Sequence, residues 1–133
     1  MTILNQSESR VNVQPSQRQP QAPGNLAEGI PATAGQLILE RRARLVRPLL
    51  PVPCDHLVDF GCGNGAQTLL FAADCGRMTG VDSSDEFLQD FRHQIAARGL
   101  EDRVATVITD GGDIPLSDGV ADAVTSFTVL EHV

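Results

Sequence analysis

The chain has no tryptophan and no tyrosine, and its only aromatic residues are five phenylalanines. Its interior must therefore be built from Leu, Val, Ile and Ala, drawn from 41% hydrophobic residues in 133, which is enough for one domain at most. Basic residues are also scarce. Ten Lys and Arg against seventeen Asp and Glu leave a net charge of −7 and a pI near 4.7. Nucleic-acid affinity comes largely from cationic side chains neutralising phosphates, so this balance argues against such a partner. Three cysteines, Cys54, Cys62 and Cys75, are odd in number and form no C-x-x-C. Neither a disulfide framework nor a zinc site is expected, and reduced thiols are the plain reading. His56, His93 and His132 are scattered without ligand spacing, so no metal site is implied. No apolar run approaches the ~20 residues that cross a bilayer. The N-terminus lacks the basic region and apolar core of a signal peptide. A cytoplasmic protein with no membrane span is the expectation.

What is present divides into two kinds of chain. Residues 1–33 are rich in Gln, Ser, Asn and Pro, with isolated apolar residues and no period. Such a segment buries too little surface to offset ordering entropy, and it reads as a disordered polar leader. Residues 34–133 are patterned. Thr33 and Gln36 fit a capping box, and Leu37, Ile38, Arg41, Leu45 and Val46 follow helical spacing up to Pro48. The run 56–60 reads as a strand, Gln67 to Ala73 as a helix ended by Gly76, and 78–82 as a second strand. Ser83 and Glu86 suggest a capping box opening a helix with Phe87, Leu88, Phe91 and Ile95 on one face, closed by Gly99. Residues 103–109 and 121–127 read as third and fourth strands. Strands alternating with helices predict an α/β doubly wound sheet. The connection 110–120 is the weak point: it carries Gly111, Gly112, Pro115 and Gly119 and offers one irregular turn.

Between the first strand and the helix that should follow lies Asp59-Phe60-Gly61-Cys62-Gly63-Asn64-Gly65. Glycines are wanted there because the backbone turns sharply and a ligand must approach it closely. The string fits two patterns. Gly61, Gly63 and Ala66 satisfy the dinucleotide fingerprint G-x-G-x-x-A. Gly61, Gly63 and Gly65 with Asp59 satisfy an acidic variant, G-x-G-x-G. A carboxylate at position 59 would repel a pyrophosphate but suits a ligand bearing an ammonium, and S-adenosylmethionine carries an ammonium, a sulfonium and no phosphate. That favours the second pattern. Asp82, at the end of the second strand, is placed to accept from ribose hydroxyls in either ligand class.

These residues resemble the class I S-adenosylmethionine-dependent methyltransferases, in particular the broad type-11 methyltransferase domain. LVDFGCGNG is similar to that family's first motif, GVDSSDEFL to its second-strand acidic motif, and residues 109–133 to its third and fourth strands with their linker. The resemblance covers roughly residues 55–133. It implies a Rossmann-like sheet of seven strands, here truncated after the fourth, so that the chain would be the N-terminal, cofactor-binding part of the domain. It further implies that Asp59 lies near the methionine ammonium and that Gly61, Gly63 and Gly65 line the methionine and ribose. Asp82 would hold the ribose hydroxyls, Asp110 and the Gly111 amide would meet the adenine, and Ser126 and Phe127 would lie beside the transferred methyl. The sequence departs from the pattern at Gly111-Gly112, where a small side chain is usual after the adenine-binding Asp, and at Val120, often Phe.

Asp113 and Asp118 read as solvated or turn residues, and Asp122 as opening a strand and facing a loop amide. His132, in the string L-E-H-V, is a weak candidate for general acid/base work. The implied activity is methyl transfer to a small-molecule acceptor by in-line displacement, with the acceptor atom and the oligomeric state undetermined. The competing readings are a nicotinamide-binding Rossmann protein and a non-catalytic module that binds an adenosine-type ligand or a partner.

Overall fold

The computed structural model describes residues 33–127. Of the expectations above, the leader (Thr33 apart), the part of the resemblance beyond residue 127 and the candidate His132 fall outside those residues. Helix α1 spans Ala34–Val46. It begins where expected because the Thr33 side chain accepts from the Gln36 amide at 3.1 Å, satisfying one of the orphan donors of the first turn. It gives way at Arg47–Leu49 to a short 3-10 turn with Pro48 in it, since a proline inside a helix has no amide to donate and clashes with the preceding turn.

Four strands follow: β1 (Cys54–Phe60), β2 (Cys75–Asp82), β3 (Val104–Ile108) and β4 (Ala123–Thr125), with α2 (Asp85–Ala97) between β2 and β3. They pair in the order β3-β2-β1-β4, and every pairing is parallel. β1 therefore sits centrally, and both its faces are covered: Leu57 and Val58 are buried although they point to opposite sides, as a central parallel strand requires. Beside them Met78, Val81, Leu88, Phe71 and Phe91, each no more than 1% exposed, pack into the same core.

Three details differ from the sequence reading. The helix expected over 67–73 is a four-residue 3-10 helix, Thr68–Phe71, because β2 begins at Cys75, and Gly76 lies within it rather than ending a helix. Residues 66–74 must carry the chain back past seven-residue β1, a distance of about 23 Å at ~3.3 Å per residue. An α-helix gains ~1.5 Å per residue and a 3-10 helix ~2.0 Å, so the tighter helix reaches further. Leu69 and Phe71 point inward as expected, with Leu70 only partly buried. Secondly, the cap of α2 is Ser84, not Ser83: its side chain accepts from the Phe87 amide at 3.2 Å. Leu88, Phe91 and Ile95 form the buried stripe as expected, while Phe87 lies outside it and is half exposed. Thirdly, β4 is shorter than 121–127. Gly99 does close α2, with φ of 65°.

The connection from β3 to β4 is irregular, as its glycines and proline suggest. It is anchored at its end by Asp122, whose Oδ2 accepts from the Asp55 and His56 amides at 3.0 and 2.7 Å. β4 first pairs at Leu57, so the Asp122 carboxylate takes the place of a strand partner for the start of β1. Val120 and Thr79 hold His56 from two sides. Its Nδ1 lies 3.1 Å from the Val120 carbonyl and its Nε2 lies 2.8 Å from the Thr79 hydroxyl. A carbonyl can only accept, so Nδ1 carries the proton and, in the neutral ring, Nε2 accepts from Thr79.

Candidate functional site

The chain steps from β1 to β2 to β3 in one direction across the sheet and then returns to place β4 on the other side of β1. Parallel sheets bind ligands at such a reversal, outside the carboxyl ends of the strands. Asp59, Asp82 and Thr125 all sit at that end, and Asp59 is in register with Thr125 across β1 and β4.

Asp59 is 2% exposed. Its Oδ2 accepts from the Thr68 hydroxyl at 2.5 Å and its Oδ1 from the Thr125 hydroxyl at 2.9 Å. Burial pushes its carboxyl above the ordinary range; the two hydroxyls oppose the shift, and the charge of Asp82 adds to it. Asp59 is thus a fixed acid beneath the loop rather than an exposed hook, with each oxygen already engaged once. Neither threonine stood out in the sequence. Thr68 opens the 3-10 helix, and Thr125 is linked to Asp59 only through strand pairing.

The loop above is shaped by its glycines. Gly61, Gly63 and Gly65 all have positive φ (76°, 55° and 81°), conformations that side-chain-bearing residues rarely adopt. Space distinguishes two of them. A Cβ on Gly65 would lie 2.0 Å from the Phe91 ring, whereas one on Gly63 would meet nothing within 4 Å. Gly65 is there so that α2 can pack Phe91 under the loop, while Gly63 presents an open face. The amides of Gly61 and Cys62 donate to the Val81 carbonyl at 2.7 and 3.1 Å, fastening the loop to β2. Cys62 is turned inward toward Gly80, and burial, then the charges of Asp59 and Asp82, push its thiol up to about 12.

Asp82 links the loop to the next helix. Its Oδ2 accepts from the Gly63 amide at 2.8 Å and its Oδ1 from the Ser84 amide at 2.9 Å. Across β3, the Thr109 amide donates to the Asp82 carbonyl at 3.0 Å, which brings Asp110 and Gly111 to the same end of the sheet. Asp110 Oδ1 accepts from the Gly112 amide at 2.9 Å. Gly111 has φ of 91° and donates to Thr109 Oγ1 at 3.2 Å. At the end of β4, Ser126 is exposed, and Phe127 stacks on Phe71 with ring centroids 6.4 Å apart and Arg42 of α1 6.0 Å from its ring centre. The sheet end therefore gathers Asp59, the three glycines, Asp82, Asp110, Gly111, Ser126 and Phe127. His132 lies beyond the described residues.

Gln67 was not anticipated either. Its Nε2 donates to the Leu39 carbonyl of α1 at 3.1 Å. Its Oε1 is buried without a hydrogen-bond partner, the sole such side-chain atom among the described residues. A separate surface cleft of about 410 Å³ opens between Asn64, Ala66, Leu69 and the outer face of α2 at His93 and Arg98. None of the expected site residues lines it. Among the described residues no three His, Cys, Asp or Glu side chains cluster as a metal site, and no helix is long and apolar enough to cross a membrane.

The family model for "Methyltransferase domain" matches residues 58–133, from the end of β1 through the glycine loop and both acidic strand ends. The chain belongs to that family. It is 34% identical over 84 residues to a demethylmenaquinone methyltransferase of Symbiobacterium thermophilum, an alignment covering 61% of this chain and 34% of that enzyme. Among solved structures it is similar to geranyl diphosphate methyltransferase in complex with geranyl diphosphate and sinefungin, at a TM-score of 0.62 and 26% identity over 68% of this chain and 35% of that one. It is equally similar to the [4+2]-cyclase SpnF, at a TM-score of 0.62 and 27% identity over 71% and 36%. The chain thus spans about a third of the length of these relatives. The four-stranded parallel sheet of this methyltransferase domain is the class I, Rossmann-like arrangement.

Proposed function

We propose that this chain is the cofactor-binding part of an S-adenosylmethionine-dependent methyltransferase that acts on a small-molecule acceptor. The observation that carries the reading is the 2.8 Å bond from the Gly63 amide to Asp82, at the same end of the sheet as the buried Asp59 carboxylate. A dinucleotide needs loop amides and a helix N-terminus free for its pyrophosphate. Here one of those amides is committed to a carboxylate, a second carboxylate is buried at the same sheet end, and the loop opens into a four-residue 3-10 helix. Two acids at one end of the sheet oppose an anionic ligand and suit a cationic one.

S-adenosylmethionine, when bound, supplies a methyl group on a sulfonium leaving group. The chain's own residues bind and align. Asp82 is placed to accept from ribose hydroxyls with lone pairs left over from its two amide bonds, and the open face of Gly63 lets a ligand approach the loop. Asp59 acts on the ligand's ammonium as a buried negative charge, directly or through water. Gly61 and Gly65 shape the methionine side, Asp110 and the Gly111 backbone serve the adenine, and Ser126 and Phe127 border the methyl group. Positioning of this kind is worth up to ~7–11 kcal/mol of barrier, and a general base is required only for a weakly acidic acceptor. A small-molecule acceptor draws support from the relatives named for small molecules, and an acidic surface goes with a protein that does not bind nucleic acid. With no membrane-spanning helix in its described residues, it fits a cytoplasmic enzyme.

The test is ligand-linked melting of the full chain. S-adenosylhomocysteine at 100 times its Kd should add ~2.7 kcal/mol of stability, and NAD at equal concentration should add none. Stabilisation by NAD alone would overturn the reading. A second reading, ligand binding without methyl transfer, is favoured by the similarity to a [4+2]-cyclase. Transfer of a labelled methyl from S-adenosylmethionine to a candidate acceptor separates the two.

A further inference from the structure

At the end of the sheet away from the glycine loop, Cys54 and Cys75 face each other. They are direct register partners at the start of β1 and β2. Both are buried, and their sulfurs are 3.2 Å apart with both thiols free. Partners on neighbouring strands have backbones ~4.8 Å apart, inside the 4.4–6.8 Å range that a disulfide spans between Cα atoms. The surroundings fix both residues in this position. The Asp122 carboxylate pins the amides of Asp55 and His56 just after Cys54. Arg103 donates to the Ala72 and Cys75 carbonyls at 3.2 and 3.3 Å, and Arg47 ties Asp74 and the Leu70 carbonyl at 2.9 and 3.2 Å. Beside Cys75, a Cβ on Gly76 would lie 3.2 Å from the Asp55 carbonyl oxygen, so the two strands run close at this point. A pair held this way gives up little further freedom on bonding.

We propose that Cys54 and Cys75 form an oxidative modification site that closes to an intrachain disulfide in exchange with a small-molecule disulfide such as oxidised glutathione. One thiolate attacks the glutathione disulfide, forming a mixed disulfide and releasing one glutathione. The second then attacks the protein sulfur of that mixed disulfide and releases the other. Two thiols lose two electrons and two protons, and one glutathione disulfide becomes two glutathiones. The bond encloses residues 54–75, which hold Asp59 and the whole glycine loop, yet it lies at the opposite end of the strands from them. It should therefore stabilise the sheet against unfolding without touching the ligand contacts. Burial, followed by the neighbouring Cys54, pushes the Cys75 thiol up to about 12. Thiolate is then scarce at neutral pH and exchange is slow, so the quantity to measure is the equilibrium.

The experiment equilibrates the full folded chain in glutathione redox buffers of graded ratio, quenches with acid, blocks free thiols and maps peptides by mass spectrometry. The expected result is concerted loss of two thiols, a crosslink between the Cys54 and Cys75 peptides, and Cys62 recovered as a free thiol. The oxidised form should show a higher urea midpoint than the reduced form, at unchanged S-adenosylhomocysteine affinity. Cys54→Ser should leave Cys75 unable to form any intrachain bond, and reduced wild-type protein in the same buffers shows whether folding itself is intact. Three free thiols at ratios that oxidise the urea-unfolded chain would overturn the proposal. So would a stable glutathione adduct on either cysteine of the wild type, or a crosslink through Cys62. An affinity loss on oxidation would contradict the separation of the two sheet ends. Absence of any ligand binding would count against the proposed function alone.

Discussion

Gly63 and Gly65 sit two residues apart in one loop, both at positive φ, and they separate two costs that are usually confounded. An alanine at either position pays the backbone penalty for a left-handed conformation, of order 1–2 kcal/mol. At Gly65 the added methyl also falls 2.0, 2.2 and 2.5 Å from three carbons of the Phe91 ring. Phe91 is fully buried, and a Cβ on Gly80 would meet the same ring at 2.4 Å, so the ring has no free side to move to. Overpacking in a closed core adds ~1–3 kcal/mol. Gly65→Ala should therefore cost ~2–5 kcal/mol and Gly63→Ala ~1–2 kcal/mol. That difference is large beside total stabilities of ~5–15 kcal/mol. Urea unfolding of the reduced, ligand-free protein measures both, with an unchanged slope as the sign that only stability moved. Phe91→Leu should relieve part of the Gly65→Ala cost in a double-mutant cycle and none of the Gly63→Ala cost. Equal costs for the two alanines, or no coupling to Phe91, would refute the assignment of Gly65 to packing.

Asp82→Ala should weaken S-adenosylhomocysteine binding by ~1.5–3 kcal/mol, the range for hydrogen bonds to a charged group, with the circular dichroism spectrum retained; calorimetry giving an unaltered Kd would place the ribose elsewhere. Asp59 supplies a pH test. Burial raises its carboxyl in the folded state above the ordinary carboxylate range, so between the unfolded and folded values the native state binds more protons than the unfolded one, and this group's contribution declines as pH rises through that window. Asp59→Asn removes the titration, so its urea stability relative to wild type should improve from pH 4 upward; parallel stability curves for the two proteins would show that Asp59 titrates normally.

Short-range features were readable directly. The Thr33 cap, the strand ending at Asp59 and Phe60, the Gly99 stop and the acidic end of β2 all depend on neighbours within a few residues, where steric and capping rules act without reference to the rest of the fold. The failures share one cause. Gln67 to Ala73 has the composition of an α-helix, but only residues 66–74 are available to return the chain past β1, a constraint that exists only once the strands are paired. Ser83 and Ser84 offer the same cap chemistry, and Asp82 decides between them by taking the Ser84 amide while bound to a loop nineteen residues away.

By itself, the sequence determined the order of elements, the glycine loop and the identity of the acids at the strand ends, because those follow from local periodicity and residue type. Only the tertiary structure decided that Asp59 is enclosed by Thr68 and Thr125, that Gly65 serves Phe91 while Gly63 faces open space, and that Cys54 meets Cys75. Each is a contact across paired strands or packed layers. In a parallel sheet such partners are joined only through crossover connections, and the register that brings them together is set by burial of the whole sheet rather than by either residue.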